Sequence, residues 1–520
     1  ENLGLATLTT ASPAVHHLHE ALRFRDLWLE VATNYINSLN LGSEKLLAKI
    51  INLLNGDDNN LHVDISVEDI LGTKGEILEK IASSIESEIG GDRGEIKLQL
   101  KQRFIEMLDQ RPWSPIISHI EIDREDRTYS FVDSSTPLNI HFAEEMPGAM
   151  NYGFSHEGGR SSASLKGSIT SDKRSSYVPN GWYTKLVGTN GEILFDGFRS
   201  GTLVQYGEVN PEVRNAATKN STRQLVIAMA LKKLTQLGDS EKRKILHEGK
   251  ILKLNIASFD LQTWVPYSET PNSFDVERMT IEEQREALEQ LNGIQQITAN
   301  QESLSDAVMS FNVEVNILTF NYPVHEKSFI HGIGWDGIVA QHNAQSVTLL
   351  LNAVDNFLTS ELESVDQITK DKVVVIRDSL IELLSTKKYL LGENPYKLNA
   401  LLLNLAYLIG YEIHYNCRSG KDRTGFLDAE AKLTAIQLEV GEGSIEAIQK
   451  PSPISAEDSD LLFTLLMNGA GPEIQRLNTG VSGSKLKPLT KGDLDMDPLV
   501  SRVGARRWKQ FKGLSQYADT

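Results

Sequence analysis

The run GYEIHYNCRSGKDRTGFLDAEAKLTAIQLEV, residues 410–440, constrains the fold more than any other stretch. Tyr411, Ile413 and Tyr415 alternate as they would along a strand, and after Arg423 the apolar residues fall at helical spacing. Cys417 is therefore predicted to sit in a strand–loop–helix turn. A loop that opens a helix aims several backbone N–H groups at one spot and adds the positive end of the helix dipole, which makes it an anion site. Arg418, Lys421 and Arg423 follow the cysteine within six positions, and the small pair Ser419 and Gly420 lets backbone approach a ligand closely.

Cys417 is the only cysteine in 520 residues, which rules out an internal disulfide and any multi-cysteine zinc site. The thiol is either inert packing or chemistry. In the loop's field it is expected to be ionised, because what attracts phosphate also stabilises thiolate. A net charge of −18 argues against nucleic-acid binding, so an anionic ligand has to be met by a local basic site. No apolar run approaches the ~18–20 residues that a membrane-spanning helix needs. The opening ENLGLATLTTASPAVHHLHE lacks the basic start and apolar stretch of a secretory signal, which leaves open export by a route without one.

Within the loop each residue type has a chemical use. Cys417 is the candidate nucleophile, and Arg423 can turn back over the loop to grip two phosphoryl oxygens with its planar fork. Asp422 can protonate the leaving oxygen and later deprotonate water. Thr424 can donate a hydrogen bond to the thiolate. Arg418 and Lys421 supply more positive charge than one phosphate needs, which points to a substrate bearing several.

Along the rest of the chain, residues 16–110 read as helical and about 114–207 as β-rich, with Asn190-Gly191 favouring a hairpin turn. Helices resume after Pro211, and Thr280 with Glu283 has the spacing of a capping box. SFNVEVNIL places Phe311, Val313, Val315 and Ile317 on one face of a predicted strand and Asn312, Glu314 and Asn316 on the other. Three helical patterns follow at about 343–364, 370–388 and 396–409. The spacings of His325, His331 and His342 around Asp336 match no zinc pattern. The segment SRVGARRWKQFKG, 501–513, reads as a helix packing Trp508 and Phe511 inward, with a membrane-surface element as the alternative.

At the loop a family resemblance appears. CRSGKDRTG resembles the Cys-Lys-Ser-x-Lys-Asp-Arg-Thr loop shared by mammalian inositol polyphosphate 4-phosphatases and the bacterial type III effector family SopB/SigD/IpgD. FNVEVN at 311–316 resembles a second motif of those effectors, and FRSGTLVQYG, 198–207, and KGLSQY, 512–517, are similar to further effector segments. Arg418 stands where the effectors usually carry lysine, which keeps the charge but changes its geometry. The resemblance implies a nucleophilic Cys417, phosphate binding by Arg423, and loop cations Arg418 and Lys421. Asn312 and Asn316 stay open between a substrate-side role and edge hydrogen bonds.

The fold so implied is α/β or α+β: an N-terminal helical region, residues 1–112, and a Cys-x5-Arg phosphatase-like domain, residues 113–520, with a central sheet flanked by helices. The implied activity is metal-independent removal of phosphate from phosphoinositide membrane lipids or inositol polyphosphates, with no cofactor. The implied setting is a bacterial effector secreted into host cells, acting in the cytosol and at cytosolic membrane surfaces. Its helical region would bind a Rho-family GTPase, and a leading segment at the N-terminus would be held by a secretion chaperone. The alternatives are a phosphotransferase using the same cysteine, a protein tyrosine or dual-specificity phosphatase, and a non-catalytic GTPase-binding effector.

Overall fold

The computed structural model describes residues 13–39, 44–55, 66–109, 111, 113–124, 127–138, 178–204, 210–264, 273–300, 308–325, 337–360, 366–387, 396–441, 448, 455–488 and 497–518. The chain divides into two compact units.

The first unit comprises Glu1–Pro112, Pro472–Lys485 and Lys509–Thr520. Its helices are α1 (Pro13–Ser38), α2 (Glu44–Asn55), α3 (Val67–Leu71), α4 (Glu76–Ile89) and α5 (Arg93–Asp109). Apolar residues three and four apart put Ile77, Leu78, Ile81 and Ile85 of α4 into one core with Phe24, Leu27, Trp28 and Phe104. Trp28 stacks on Phe104 with ring centroids 4.4 Å apart. Val481, Leu514 and Tyr517, from the far end of the chain, complete this core. Gly480 makes that return possible: its φ is +84°, and a Cβ there would lie 2.8 Å from Phe104 Cζ.

The second unit, Trp113–Gly471 and Leu486–Trp508, is built on an eight-stranded mixed sheet flanked by helices. In chain order its elements begin with β1 (Ile116–Arg124), β2 (Arg127–Pro137), β3 (Trp182–Val187), β4 (Ile193–Ser200), α6 (Pro211–Thr235) and α7 (Asp239–His247). Next come β5 (Leu252–Asp260), α8 (Ser273–Glu289), β6 (Gly293–Asn300), β7 (Val308–Asn321), α9 (Gly337–Thr359), α10 (Gln367–Thr386) and α11 (Lys397–Leu408). Then follow β8 (Glu412–Asn416), α12 (Asp422–Val440) and α13 (Ala456–Asn468); α14 (Gly471–Thr479) falls in the first unit from Pro472 on, α15 (Ala505–Lys512) passes from the second unit to the first after Trp508, and a short 3-10 turn at Ser515–Tyr517 belongs to the first.

The strand order is β1-β2-β3-β4-β8-β5-β7-β6. Strands β4, β8, β5 and β7 run parallel, while β1 to β4 form an antiparallel meander and β6 closes the other edge antiparallel to β7. All five residues of β8 are buried, as a central parallel strand covered on both faces requires. Tyr415 turns to α12, donating to Asp428 at 2.5 Å, while His414 and Asn416 turn to the opposite face.

The hairpin expected at Asn190-Gly191 joins β3 to β4, with Gly191 at φ +83° and the Asn190 side chain accepting from Glu192 N. On β7 the expected alternation holds: Phe311, Val313, Val315 and Ile317 are buried, and Asn312 and Asn316 are exposed. The expected capping box is a correction. Helix α8 begins at Ser273, and Thr280 lies inside it, donating back to Glu277 O and across to Gln262 Oε1. The earlier start brings Glu277 onto the helix, with a consequence for the site. In α15 Trp508 and Phe511 are buried, Trp508 against Phe426, and just before the helix Arg502 pairs with buried Glu430, so the inward-packing reading of this segment is the one the structure shows. His331 and Asp336 lie outside the described residues. His342 Nε2 meets Thr319, and among the described residues no group of His, Cys, Asp and Glu could hold a metal ion.

Candidate active site

The parallel strands β5, β8 and β7 end level with one another, Asp260 opposite both Asn416 and Asn321. The chain leaves β8 there, and residues 417–421 form the loop that opens α12. Asn416 anchors its start: its carbonyl accepts from Leu261 N at 2.9 Å and its Oδ1 from Gln284 Nε2 at 2.9 Å. Gly420 adopts φ +68°, and a Cβ there would stand 2.5 Å from Ser200 C and Gly201 N, so only glycine fits. No side-chain bond caps α12, so its first amides open onto the loop.

Cys417 is 2% exposed. The Arg423 guanidinium is fixed on one side by two bonds, Nη1 to Leu261 O at 3.1 Å and Nη2 to Glu277 Oε1 at 2.8 Å. Burial lowers its proton affinity, but Glu277, with Cys417 adding to it, more than offsets that, so its pKa is raised. The thiol and the guanidinium therefore share one electrostatic site. Buried Tyr396 has a raised pKa, chiefly through burial and against the opposing pull of Arg423, and Asp422 opens α12 directly before that arginine. Arg418 is half-buried, and burial followed by repulsion from Arg423 lowers its pKa. Two guanidinium groups that repel each other favour an anion beside them.

Lys421 is buried, while Ser419 is half-buried and hands its carbonyl to Asn180 Nδ2 at 2.9 Å. Thr424 is fully buried and its Oγ1 makes no hydrogen bond, so the expected donation to the sulfur is not made. Asn312 and Asn316 are not brought to the loop. They precede Asn321, at the site end of β7, by nine and five residues, roughly 30 and 16 Å along the strand. Asn316 instead donates to Asn255 Oδ1 at 3.3 Å, an edge hydrogen bond.

Sequence reasoning missed several residues here. Glu277 Oε2 accepts from Thr263 N at 2.8 Å while Oε1 holds Arg423, so one carboxylate ties α8, the turn after β5 and the loop arginine together. Despite burial, Arg423 keeps its pKa below the usual range. His414 lies between Ser200 Oγ at 2.9 Å on Nε2 and Ser258 Oγ at 2.8 Å on Nδ1, riveting β8 to β4 and β5. Burial pushes its pKa down to about 3, so it stays neutral. Only their distant partners mark these residues out, and no local pattern does.

Asp260 is buried and its pKa is pushed up to about 7, chiefly by burial, with Glu277 adding to the rise and Gln262 and Arg423 opposing it. A carboxyl whose folded pKa is raised is most stabilising while protonated, and that contribution is lost as pH climbs from the ordinary value of 3.8 through about 7. Asp260→Asn removes this loss. The variant is expected to gain on wild type by roughly 1.4 kcal/mol for each pH unit across that interval, read from urea unfolding. Equal stability profiles for the two proteins would refute the assignment.

The family model described as enterobacterial virulence protein IpgD matches residues 93–518. The inositol phosphate phosphatase IpgD of Shigella sonnei is 30% identical over 463 residues, covering 85% of this chain and 79% of that protein. The inositol phosphate phosphatase SopB of Salmonella typhi is 26% identical over 336 residues, 62% of this chain and 56% of that one. Among solved structures, a Legionella phosphoinositide phosphatase superposes with a TM-score of 0.63 at 12% identity, covering 96% of this chain and 91% of its own. The Legionella phosphoinositide phosphatase SidF gives 0.55 at 12% identity, over 94% of this chain and 90% of its own. At that identity the likeness concerns the fold.

Proposed function

Because the chain belongs to the IpgD family of enterobacterial virulence proteins, we propose that it is a cysteine-dependent phosphatase of phosphoinositides and inositol polyphosphates, delivered into host cells. What supports the reading is the placing of Cys417 and Arg423 on either side of the loop that opens the uncapped start of α12, with the Arg423 guanidinium held by Leu261 O and Glu277.

In this reading the Cys417 thiolate attacks phosphorus in line with the ester oxygen. The P–O bond breaks as the S–P bond forms, and Asp422 gives its proton to the departing inositol oxygen. Asp422, now a carboxylate, takes a proton from water as that water attacks the phosphocysteine, releasing phosphate and restoring the thiolate. Arg423 and the loop amides hold the equatorial oxygens, where charge is carried through both steps. Every group in this sequence belongs to the chain, so no metal ion is called on. Arg418 and Lys421 lie beyond what a single phosphoryl group can use, which favours a ring bearing several phosphates.

The test is phosphate release, in the presence of chelator, from a panel of inositol polyphosphates, phosphoinositides in vesicles and phosphotyrosine peptides at equal concentration. The multiply phosphorylated inositol head groups are expected to exceed the peptides at least ~tenfold in kcat/KM, the effect of one charge-assisted contact. Faster peptide hydrolysis would overturn the choice in favour of a protein phosphatase.

A further inference from the structure

The string FRSGT at 198–202 lies under the phosphate loop, where it takes up the loop's carbonyls. Thr202 N donates to Arg418 O at 3.3 Å. Asn180 Nδ2 donates to Ser419 O at 2.9 Å. Arg199 Nη2 donates to Gly420 O at 3.1 Å and to Lys421 O at 3.4 Å. Four successive carbonyls are thus drawn towards β4 and the turn before β3. A trans peptide is planar and its N–H points opposite to its C=O. The amides of Ser419, Gly420, Lys421 and Asp422 accordingly face away from that scaffold, the arrangement of an anion-binding nest.

Arg199 and Asn180 are costly residues to place there. Arg199 is fully buried, its Nε and Nη1 make no hydrogen bond, and Asp428 Oδ2 lies 3.7 Å from Nη1. Buried ionic groups of this kind are often replaceable by apolar residues without loss of stability, so stability alone does not account for it. Asn180 is a non-glycine residue at φ +49°, held with its Oδ1 accepting from Trp182 Nε1 at 2.9 Å. We infer that Arg199 and Asn180 are positioning residues of the phosphate site, which hold the loop's carbonyls on one side so that its amides converge on the phosphoryl group on the other. The inference rests on the phosphatase reading and adds to it a second set of determinants, more than 200 positions from the loop in the chain.

The probe is inorganic phosphate titrated calorimetrically into the whole chain. Arg199→Met and Asn180→Asp are each expected to weaken phosphate binding at least ~tenfold, while Arg199→Lys, which keeps one donor for the loop, recovers part of it. Asn180→Asp preserves the shape and the acceptor for Trp182, turns the donor facing Ser419 O into an oxygen and adds a negative charge, so it is read beside Asn180→Ala, which removes the donor without adding charge and is expected to weaken phosphate binding as well; this pair decides the matter if Arg199→Met does not fold. Glu412→Gln is the control: it alters the buried pair of Glu412 with Lys232, 2.6 Å apart at the other end of β8. It is expected to lower the melting temperature and leave phosphate affinity within about twofold of wild type. A folded Arg199→Met, Asn180→Asp or Asn180→Ala protein that binds phosphate as wild type does overturns the inference alone. A wild-type chain that binds no phosphate at millimolar concentration overturns the phosphatase reading, and the inference with it.

Discussion

Cys417→Ser is expected to abolish phosphate release, with kcat/KM for a multiply phosphorylated inositol falling by a factor on the order of 10⁴ or more. The chain has no second thiol to take over, and a serine hydroxyl in the same cradle stays protonated at neutral pH. The substitution trades sulfur for oxygen at a buried position with little change of volume, so folding is retained, as circular dichroism can verify. Phosphate binding should survive as well, because the amides and Arg423 remain. A variant that keeps more than about a tenth of the wild-type rate would remove Cys417 from the reaction, since a missing nucleophile costs far more than that.

The second large effect separates chemistry from stability at Arg423. Arg423→Met leaves the Glu277 carboxylate buried without its cation, a loss of about 3–5 kcal/mol in unfolding free energy. Adding Glu277→Gln removes that stranded charge while keeping an oxygen for Thr263 N, so most of the stability should return. Activity should not. The double variant is expected to remain down by on the order of 10³ in kcat/KM, because nothing replaces the fork over the phosphoryl oxygens. A pH dependence accompanies this. Arg423 holds the pKa of Glu277 below its ordinary 4.5, so the stability that the pair contributes is complete above that value and is lost as pH falls through the lowered one. Glu277→Gln alone should therefore lose its disadvantage relative to wild type in acid. Activity restored together with stability in the double variant would make Arg423 a structural residue.

The loop was legible in the sequence because everything that defines it is local. Strand alternation up to Tyr415, the Ser419-Gly420 pair and the helical spacing after Arg423 all fall within about thirty residues, and the structure forms those elements. The half-buried character of β7 was legible for the same reason, since period-two alternation is a local property. Its use was not: register places Asn312 and Asn316 along the strand away from the loop, and register depends on partners the pattern does not contain. Glu277 was invisible because its carboxylate matters only through Arg423, 146 positions later. The capping-box spacing at Thr280 pointed to a later helix start and so hid the turn that carries it. Arg199 stands within FRSGTLVQYG, a string marked in the sequence only by its likeness to effector segments; that its donors end on Gly420 and Lys421 carbonyls is a fact of tertiary structure. Contacts that bridge strands remote in the chain leave no periodicity to read.

Strand β8 lies between β4 and β5, yet it is the last strand of the sheet to leave the ribosome. Until residue 416 has been made, β4 and β5 have no neighbour on their facing edges, and His414 is not there to join Ser200 to Ser258. From residue 260, where β5 ends, to residue 416, the growing polypeptide lacks the strand that joins the two halves of its sheet, and the candidate loop at 417–421 follows that strand directly, so sheet closure and loop placement depend on the same late segment.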